Sequence, residues 1–318
     1  MDTTEPVRGR FPQTLVYQAA RLYYLEHATQ AQIANQLGTS RPTVSRLLAE
    51  ARASGVVRVH VRNPDAGEMS ALEQTLVEQL GLLAAYVAPS IKNAPAGQLL
   101  GPGVANALQR SDLGPGDALV VSSGATVHGV AQQRMPSLPG VVLCPTAGGV
   151  EEPHAHYQTN EITRNLAAKV HGTPVLLYAP AMPSPALWRV LMDDPVTQRV
   201  TRLWKSAHAA LLGIGAPPHG RSSLPSVISP NDPALLPAVG DICARPYDNT
   251  GAPVVFSGVE RLVAMELDDL RRIPHTIGAA VGAEKVTSIM TAVRAGYVNT
   301  LVTDSATAEL LVDQGSQS

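Results

Sequence analysis

Three residues with strict backbone and size requirements lie at fixed intervals in QAQIANQLGTSRPTV, residues 30–44. Ala34, Gly38 and Val44 occupy the fifth, ninth and fifteenth positions of a pattern about twenty residues long. The fifth position accepts only a small side chain because two helices meet there. The ninth takes a positive φ, which glycine adopts at little cost. The spacing therefore predicts a helix-turn-helix.

The second helix of this motif carries clear start signals. Ser40 is the predicted N-cap, and Pro42 falls in the first turn, where its missing N–H has no intrahelical partner. The second helix is therefore expected to begin at Arg41. Four apolar residues recur at helical spacing and supply a small core: Ile33, Leu37, Leu47 and Leu48.

In a helix-turn-helix, the start of the second helix enters the major groove of double-stranded DNA. The residues expected to contact bases or phosphates there are Arg41, Pro42, Thr43, Ser45 and Arg46. Gln30 and Gln32, at the start of the first helix, are expected to contact the DNA backbone. The alternative is a helical hairpin whose polar face is simply solvated.

The charge distribution favours the DNA-binding interpretation. Residues 1–63 contain eight arginines, no lysines and four acidic residues, a net charge of +4. The remainder has sixteen basic and twenty-two acidic residues, a net charge of −6. A basic head on an acidic body suits a nucleic-acid partner, here predicted to be operator DNA.

Composition points to a cytoplasmic protein with no membrane partner. The chain has 318 residues, 45% of them hydrophobic, and a net charge of −2, with no apolar run of membrane-spanning length. Its N-terminus does not resemble a secretory signal. Cys144 and Cys243 belong to no Cys-x-x-Cys pair, so both are expected to be buried free thiols. No cofactor is predicted.

Length and local pattern predict two domains, residues 1–62 and residues 63–318. Residues 56–62 (VVRVHVR) alternate like a short strand and precede the breaker cluster Asn63-Pro64-Asp65. Residues 68–80 form a predicted amphipathic helix with Gly81 as its C-cap. This helix is expected to pack on the body, although its pattern is also compatible with dimerisation.

The second domain alternates short apolar runs with helical segments, which predicts a mostly parallel sheet with helices on both faces. The predicted strands are residues 118–122, 141–145, 175–179, 210–215, 254–256, 276–281 and 300–304. The predicted helices are residues 160–170, 184–192, 196–206, 283–295 and 306–312. Residues 216–237 form a Pro/Ser-rich loop that is expected to cover a pocket.

Ligands in such folds bind beyond the carboxyl ends of the strands. The best candidate is the turn Ser122, Ser123, Gly124, Ala125 and Thr126, with a helix expected from Val127. Its backbone N–H groups and hydroxyls can form a phosphate cradle, and the alternative is an ordinary tight connection. A second turn, containing Gly148 and Gly149, is expected at the same edge.

Two charged residues complete the predicted effector site. Asp241 can accept hydrogen bonds from sugar hydroxyls, and Lys285, at a predicted helix start, can neutralise a phosphate. The alternatives are ordinary: Asp241 caps or turns the chain, and Lys285 is a solvated first-turn residue.

Several segments together resemble the SorC/DeoR family of sugar-responsive bacterial transcriptional regulators over nearly the whole chain. They are ARLYYLE (20–26), SRPTVSRLLAEARASGVV (40–57), GIGA (213–216), AVGDICARPYD (238–248), GAEKVTSIMTAV (282–293) and VNTLVTDSATAELL (298–311). The resemblance implies a winged DNA-binding head and an effector domain similar to sugar-phosphate isomerases and deaminases. It also implies a phosphorylated sugar effector and a homo-oligomer, either dimer or tetramer.

The chain departs from the family pattern at two places. The first turn in the family usually reads Gly-Trp-Gly-Thr-Thr, whereas here residues 122–126 read Ser-Ser-Gly-Ala-Thr. Relatives often carry Asn or Lys before the Gly-Gly turn, where this chain has Ala147. These departures predict an effector different from those of the relatives.

The expected mechanism is linkage, in which effector binding to the body changes the arrangement of the DNA-binding heads. The rivals are a sugar-phosphate isomerase-like enzyme and a DNA-binding protein with a non-responsive effector domain. An isomerase is disfavoured because a DNA-binding domain has no role in isomerisation. In addition, no second acid/base residue is evident beside Asp241. The segment Glu151–His156 contains a His-x-His pair that could bind a metal ion. The sequence shows no second pair of ligands at a recognisable spacing, so no metal is predicted.

Overall fold

The computed structural model describes residues 11–57, 66–150, 158–218 and 232–316. The chain divides into two compact units, Met1–Pro64 and Asp65–Ser318. The predicted domain boundary between residues 62 and 63 lies beside this division. Among the described residues, every helix is too short or too polar to cross a bilayer.

The first unit is built from α1 (Gln13–Tyr24), α2 (Gln30–Gln36) and α3 (Arg41–Ala53). As predicted, α3 begins at Arg41, and the Thr43 backbone N–H donates to Ser40 Oγ at 3.4 Å. Gly38 has the predicted positive φ, at +61°. Val56 and Val57 lie in a bend, and the rest of the predicted strand 56–62 lies outside the described residues.

The second unit contains a seven-stranded sheet, a two-stranded hairpin and nine helices within its described residues. The strands are β1 (Ala84–Ala88), β2 (Ala118–Val121), β3 (Val142–Pro145), β4 (Thr173–Pro174), β5 (Ala207–Gly213), β6 (Ala238–Ile242), β7 (Arg245–Asp248), β8 (His275–Ala279) and β9 (Thr300–Asp304). The helices are α4 (Ala66–Leu80), α5 (Ala96–Arg110), α6 (Ala125–Ala131), α7 (Thr159–Val170), α8 (Pro185–Asp193), α9 (Pro195–Lys205), α10 (Leu267–Leu270), α11 (Val286–Arg294) and α12 (Ser305–Gly315).

The large sheet is parallel throughout its paired strands, in the order β1-β9-β8-β5-β2-β3-β4. Neighbouring residues of one strand enter two different cores, because side chains alternate across a sheet. Val120 of β2 joins α4, α9, α11 and α12, whereas Leu119 and Val121 join α5, α6 and α7. The predicted sheet with helices on both faces is confirmed. The predicted helix 68–80 corresponds to α4, which packs Leu76 into the core.

Two predicted strands are wrong. Val175 still donates to the Leu143 carbonyl of β3 at 2.7 Å, but the chain then leaves the sheet, because the Asn160 side chain binds both the N–H and the C=O of Leu177, at 3.1 and 3.0 Å. At Leu177 these two hydrogen bonds replace the ladder that a strand would have made. Residues 254–256 form a loop beside β7, with Val255 75% exposed.

Several elements of the second unit were not predicted, namely β1, α5, β4, β6, β7 and α10. The sequence of β1, AAYVA, has few strongly strand-forming residues, and its pairing with β9 is non-local. Helix α5 carries Pro102 and three glycines, which resemble helix breakers in the sequence. Gly97 is required there, because an added Cβ would lie 2.4 Å from the Gly129 backbone of α6.

The hairpin β6–β7 turns through two residues in the left-handed region, Cys243 (φ 54°) and Ala244 (φ 60°). A two-residue hairpin loop of this kind favours glycine or asparagine, because a Cβ is strained there. The thiols of Cys144 and Cys243 are free and buried, as predicted, and burial raises the pKa of each to about 12.

Replacing Ala244 with glycine is expected to stabilise the second unit. Relief of the left-handed strain, about 1–2 kcal/mol, exceeds the entropy cost of a new glycine, about 0.5–1 kcal/mol. Urea unfolding of A244G should therefore show a higher midpoint than the parent. The control A168G, on the exposed face of helix α7, should lower it. Equal destabilisation by both substitutions would contradict the strain argument.

Candidate DNA-binding surface and effector site

Helix α3 divides into a buried face and an exposed face. Val44 and Leu47 are fully buried against α1 and α2, which fixes the orientation of the helix. The predicted DNA contacts Arg41, Pro42, Ser45 and Arg46 are exposed, and Thr43 is half-buried. The Thr43 hydroxyl lies 2.8 Å from Ser40 Oγ, so it also supports the helix cap.

The start of α2 contains a capping box that the sequence analysis missed. Gln32 Oε1 accepts hydrogen bonds from the Thr29 N–H at 2.9 Å and from Thr29 Oγ1 at 2.8 Å, and Thr29 Oγ1 accepts from the Gln32 N–H. Thr29-x-x-Gln32 is the sequence signature that would have found it. The amide oxygen of Gln32 therefore holds the helix start, and Gln30 beside it is half-buried.

The residues predicted to bind the effector lie at the carboxyl edge of the large sheet, where the strand order reverses. After β2 the chain passes through α6 to β3, whereas after β5 it continues to β8 on the opposite side. A crevice opens at such a switch point because the two connections diverge. At this crevice the Gly213 N–H donates to Ser122 Oγ at 2.8 Å, so the Ser122 side chain ties β2 to β5.

The first turn leaves β2 through Gly124, whose φ of 112° and ψ of 161° favour glycine strongly. Helix α6 begins at Ala125 rather than at the predicted Val127, so Ala125 and Thr126 form its first turn. Within the described part of the chain, no acceptor binds the backbone N–H groups of Ser123, Gly124, Ala125 and Thr126. The added Cβ of an alanine at Gly124 would meet open space. The turn therefore has four backbone donors that the described part of the protein leaves unused at this edge of the sheet.

Asp241 and Lys285 reach the same edge through Gly215, two residues beyond the end of β5. The Gly215 N–H donates to the Asp241 backbone carbonyl at 2.9 Å, which places β6 beside the crevice. Ser288 Oγ donates to the Gly215 carbonyl at 2.6 Å, one turn of α11 after Lys285. The strand that carries Asp241 and the helix that follows Lys285 are thus both hydrogen-bonded to the backbone of Gly215.

Neutral buried groups support this junction. The Tyr247 hydroxyl donates to the Ser288 carbonyl at 3.0 Å, and burial raises the pKa of Tyr247 above its usual range. Gly240 allows the approach, because an added Cβ would lie 2.5 Å from Ser288 Oγ. Ser288 and Tyr247 were not recognised in the sequence, where nothing marks them apart from ordinary core residues.

The second turn follows β3 at the same edge, but its glycines are used within the protein. The Gly148 N–H donates to the Val263 carbonyl at 2.8 Å, and the Gly149 N–H donates to the Ala179 carbonyl at 2.8 Å. A Cβ at Gly148 would lie 2.6 Å from the Ala179 carbonyl oxygen. Neither N–H is left to bind a ligand. The neighbouring segment 151–156, considered for metal binding, lies outside the described residues.

Comparison with known proteins matches both units. Residues 65–313 match the Sugar-bind family, a sugar-binding domain, and residues 13–72 match a Crp-like helix-turn-helix domain. The chain belongs to the SorC/DeoR family of transcriptional regulators. The predicted helix-turn-helix is thereby confirmed, and so is the predicted fold class.

Curated relatives and solved structures extend over almost the whole chain. The sorbitol operon regulator of Klebsiella pneumoniae is 34% identical over 94% of this chain and 97% of its own length. The deoxyribonucleoside regulator of Bacillus subtilis is 33% identical over 96% of this chain and 99% of its own length. The crystal structure of full-length SorC from Klebsiella pneumoniae has a TM-score of 0.77 and 32% identity, covering 96% of this chain and all of that one.

Membership in this family decides between the classes considered from the sequence. The relatives are regulators and not enzymes, as predicted. This SorC/DeoR protein is a transcriptional regulator that combines a DNA-binding helix-turn-helix with a sugar-binding domain.

The two glycines of the second turn should respond differently to substitution. G148A is expected to destabilise the second unit by about 1–3 kcal/mol, because its Cβ meets fixed backbone. G149A should be tolerated, since the nearest atom to its Cβ is 3.8 Å away. Urea unfolding without ligand measures both. A G148A protein as stable as G149A would show that this backbone contact can relax.

Proposed function

We propose that this protein regulates a carbohydrate or nucleoside catabolic operon, and that a phosphorylated sugar in its second domain controls DNA affinity. We place it in the cytoplasm with its operator DNA. The observation that carries the phosphate assignment is the row of free N–H groups from Ser123 to Thr126 at the switch point. Successive backbone N–H groups of this kind favour an anion.

Lys285 and Asp241 suit the two ends of such an effector. Lys285 ends a short 3₁₀ turn directly before α11, where its amine adds positive charge to a helix start. Asp241, on β6, supplies a carboxylate that can accept hydrogen bonds from hydroxyl groups. We assign the phosphate to the first turn and Lys285, and the sugar hydroxyls to Asp241.

The departures from the family pattern affect this site. Ser122 uses its hydroxyl to bind Gly213, and Ala147 offers a methyl group where relatives often carry Asn or Lys. We propose that the effector is held mainly by backbone donors, Lys285 and Asp241. Gly148 and Gly149 act in this scheme as packing residues that shape the crevice.

The regulator is proposed to act as a dimer or tetramer whose heads contact separate half-sites of the operator. Two-fold symmetric operators bind such heads best when their spacing matches one turn of DNA. An effector that favours one arrangement of the heads then changes DNA affinity by linkage. Molar-mass measurement by light scattering, with and without operator DNA, tests the oligomeric state.

Loss of an arginine from the exposed face of α3 should weaken operator binding. R46A is expected to lower affinity by about 1–3 kcal/mol if Arg46 binds a base, and to reduce the salt slope by about 1 if it binds phosphate. The control R52A removes the same charge from the last turn of α3, away from the groove-entering end. Anisotropy of a labelled duplex at two salt concentrations measures both. Equal effects of R46A and R52A would contradict the proposed orientation.

Lys285 should distinguish a phosphorylated sugar from its parent sugar. A panel that includes phosphorylated sorbitol and phosphorylated deoxyribose is titrated into the protein–operator complex. The K285Q variant is expected to weaken the response to the effective sugar phosphate by tenfold or more, the equivalent of about 1.4 kcal/mol. Operator binding without effector should not change.

Three outcomes separate the parts of this proposal. If K285Q responds as the parent does, the phosphate assignment is wrong. A response to unphosphorylated sugars alone also overturns it, while leaving a sugar-controlled regulator. Tight operator binding that no sugar changes favours the rival, a DNA-binding protein with a non-responsive effector domain.

A further inference from the structure

A second cavity lies in the same unit, between α8, α9 and residues 259–269, and its volume is about 250 Å³. None of the residues predicted to bind the effector lines it. The side chains that matter most in its lining are Trp188, Met192, Trp204, Lys205, Arg245 and Leu262.

The walls of this cavity are aromatic and apolar. Trp188 and Trp204 are the two tryptophans of the whole chain, and both line it. Trp204 is fixed, because its indole Nε1–H donates to the Pro145 carbonyl at 2.7 Å. Trp188 and Met192 lie one turn apart on α8, so they face the cavity together. A flat or branched apolar group fits such walls.

The polar part of the lining is dominated by a buried arginine. Arg245 is 7% exposed, and its Nε donates to the Met265 carbonyl at 2.8 Å. Its Nη2 donates to the Ala264 carbonyl at 3.0 Å and to Glu266 Oε1 at 2.6 Å. Among the described residues, Nη1 has no acceptor. Burial lowers the pKa of Arg245, but a guanidinium in a protein stays protonated.

Three carboxylates and two basic side chains line the cavity, and two of the carboxylates are balanced by arginines outside the lining. Its three carboxylates are each paired with an arginine: Glu260 with Arg261 at 3.3 Å, Glu266 with Arg245 at 2.6 Å, and Asp269 with Arg272 at 3.1 Å. Lys205 has no ion-pair partner in the described part of the chain. An anionic group would therefore find one free amine and one free guanidinium edge.

We propose that this cavity is a second small-molecule site, which binds a compact carboxylate with an aromatic or branched apolar body. Ligand pockets commonly measure about 300–1,000 Å³, so this one takes a smaller molecule. The apolar body lies between the two indole rings, and the carboxylate faces Lys205 and Arg245 Nη1. The proposal does not depend on the sugar-phosphate site.

The two tryptophans supply a direct readout, because all tryptophan emission of the chain arises at this cavity. Full-length protein is titrated with benzoate, and with benzyl alcohol as an uncharged probe of similar size. A saturable change in emission is expected with benzoate, at an affinity about tenfold higher than with benzyl alcohol. K205Q should lower benzoate affinity about tenfold, whereas K169Q, an exposed lysine on α7 outside the cavity, should not change it.

Other results would overturn the proposal. They are a linear, non-saturating change that is equal for both probes, and a benzoate affinity that K205Q leaves unaltered. Competition by an effective sugar phosphate would assign benzoate to the sheet edge instead. Because the readout does not involve DNA, failure here would leave the proposed regulatory function untouched, and failure of the sugar response would leave this site untouched.

Discussion

The hydrogen bond from the Gly213 N–H to Ser122 Oγ holds the ends of β2 and β5 together at the switch point. The Ser122 hydroxyl oxygen takes the place of a backbone carbonyl as the acceptor for Gly213. The pairing of β2 with β5 therefore ends without leaving the Gly213 N–H unsatisfied. The chain can then turn away through Gly124, where successive backbone N–H groups have no acceptor among the described residues. Asp241 and α11 are assembled around the same place, because both are bound to Gly215.

Local backbone requirements explain what the sequence could predict. Gly38, Ser40 and Arg41 have the conformation or position expected of them, because a turn, a cap and a helix start depend on nearest neighbours. The strand predicted at residues 175–179 failed for the opposite reason. Asn160, on another element, binds the backbone of Leu177, and no local pattern in residues 175–179 reveals that partner.

The two glycine-rich turns of the candidate effector site were recognisable in the sequence, but the difference between them was not, and their role in binding an effector stays a prediction. The sequence treats the turns at Gly124 and at Gly148 as similar glycine-rich connections. The structure separates them, because the Val263 carbonyl accepts the Gly148 N–H whereas the N–H groups around Gly124 have no acceptor within the described residues. Which turn uses its N–H groups in packing and which leaves them unused depends on a segment distant in the sequence, so three-dimensional information was needed.

The segment that makes this distinction also lines the tryptophan cavity. Its backbone binds Thr146 and Gly148 of the second turn through Met265 N–H and the Val263 carbonyl, while its Ala264 and Met265 carbonyls accept from Arg245. Residues 262–266 are therefore hydrogen-bonded to the sheet edge and to the cavity floor at once. The candidate effector edge and the cavity are thus neighbours in structure, although the residues assigned to them differ.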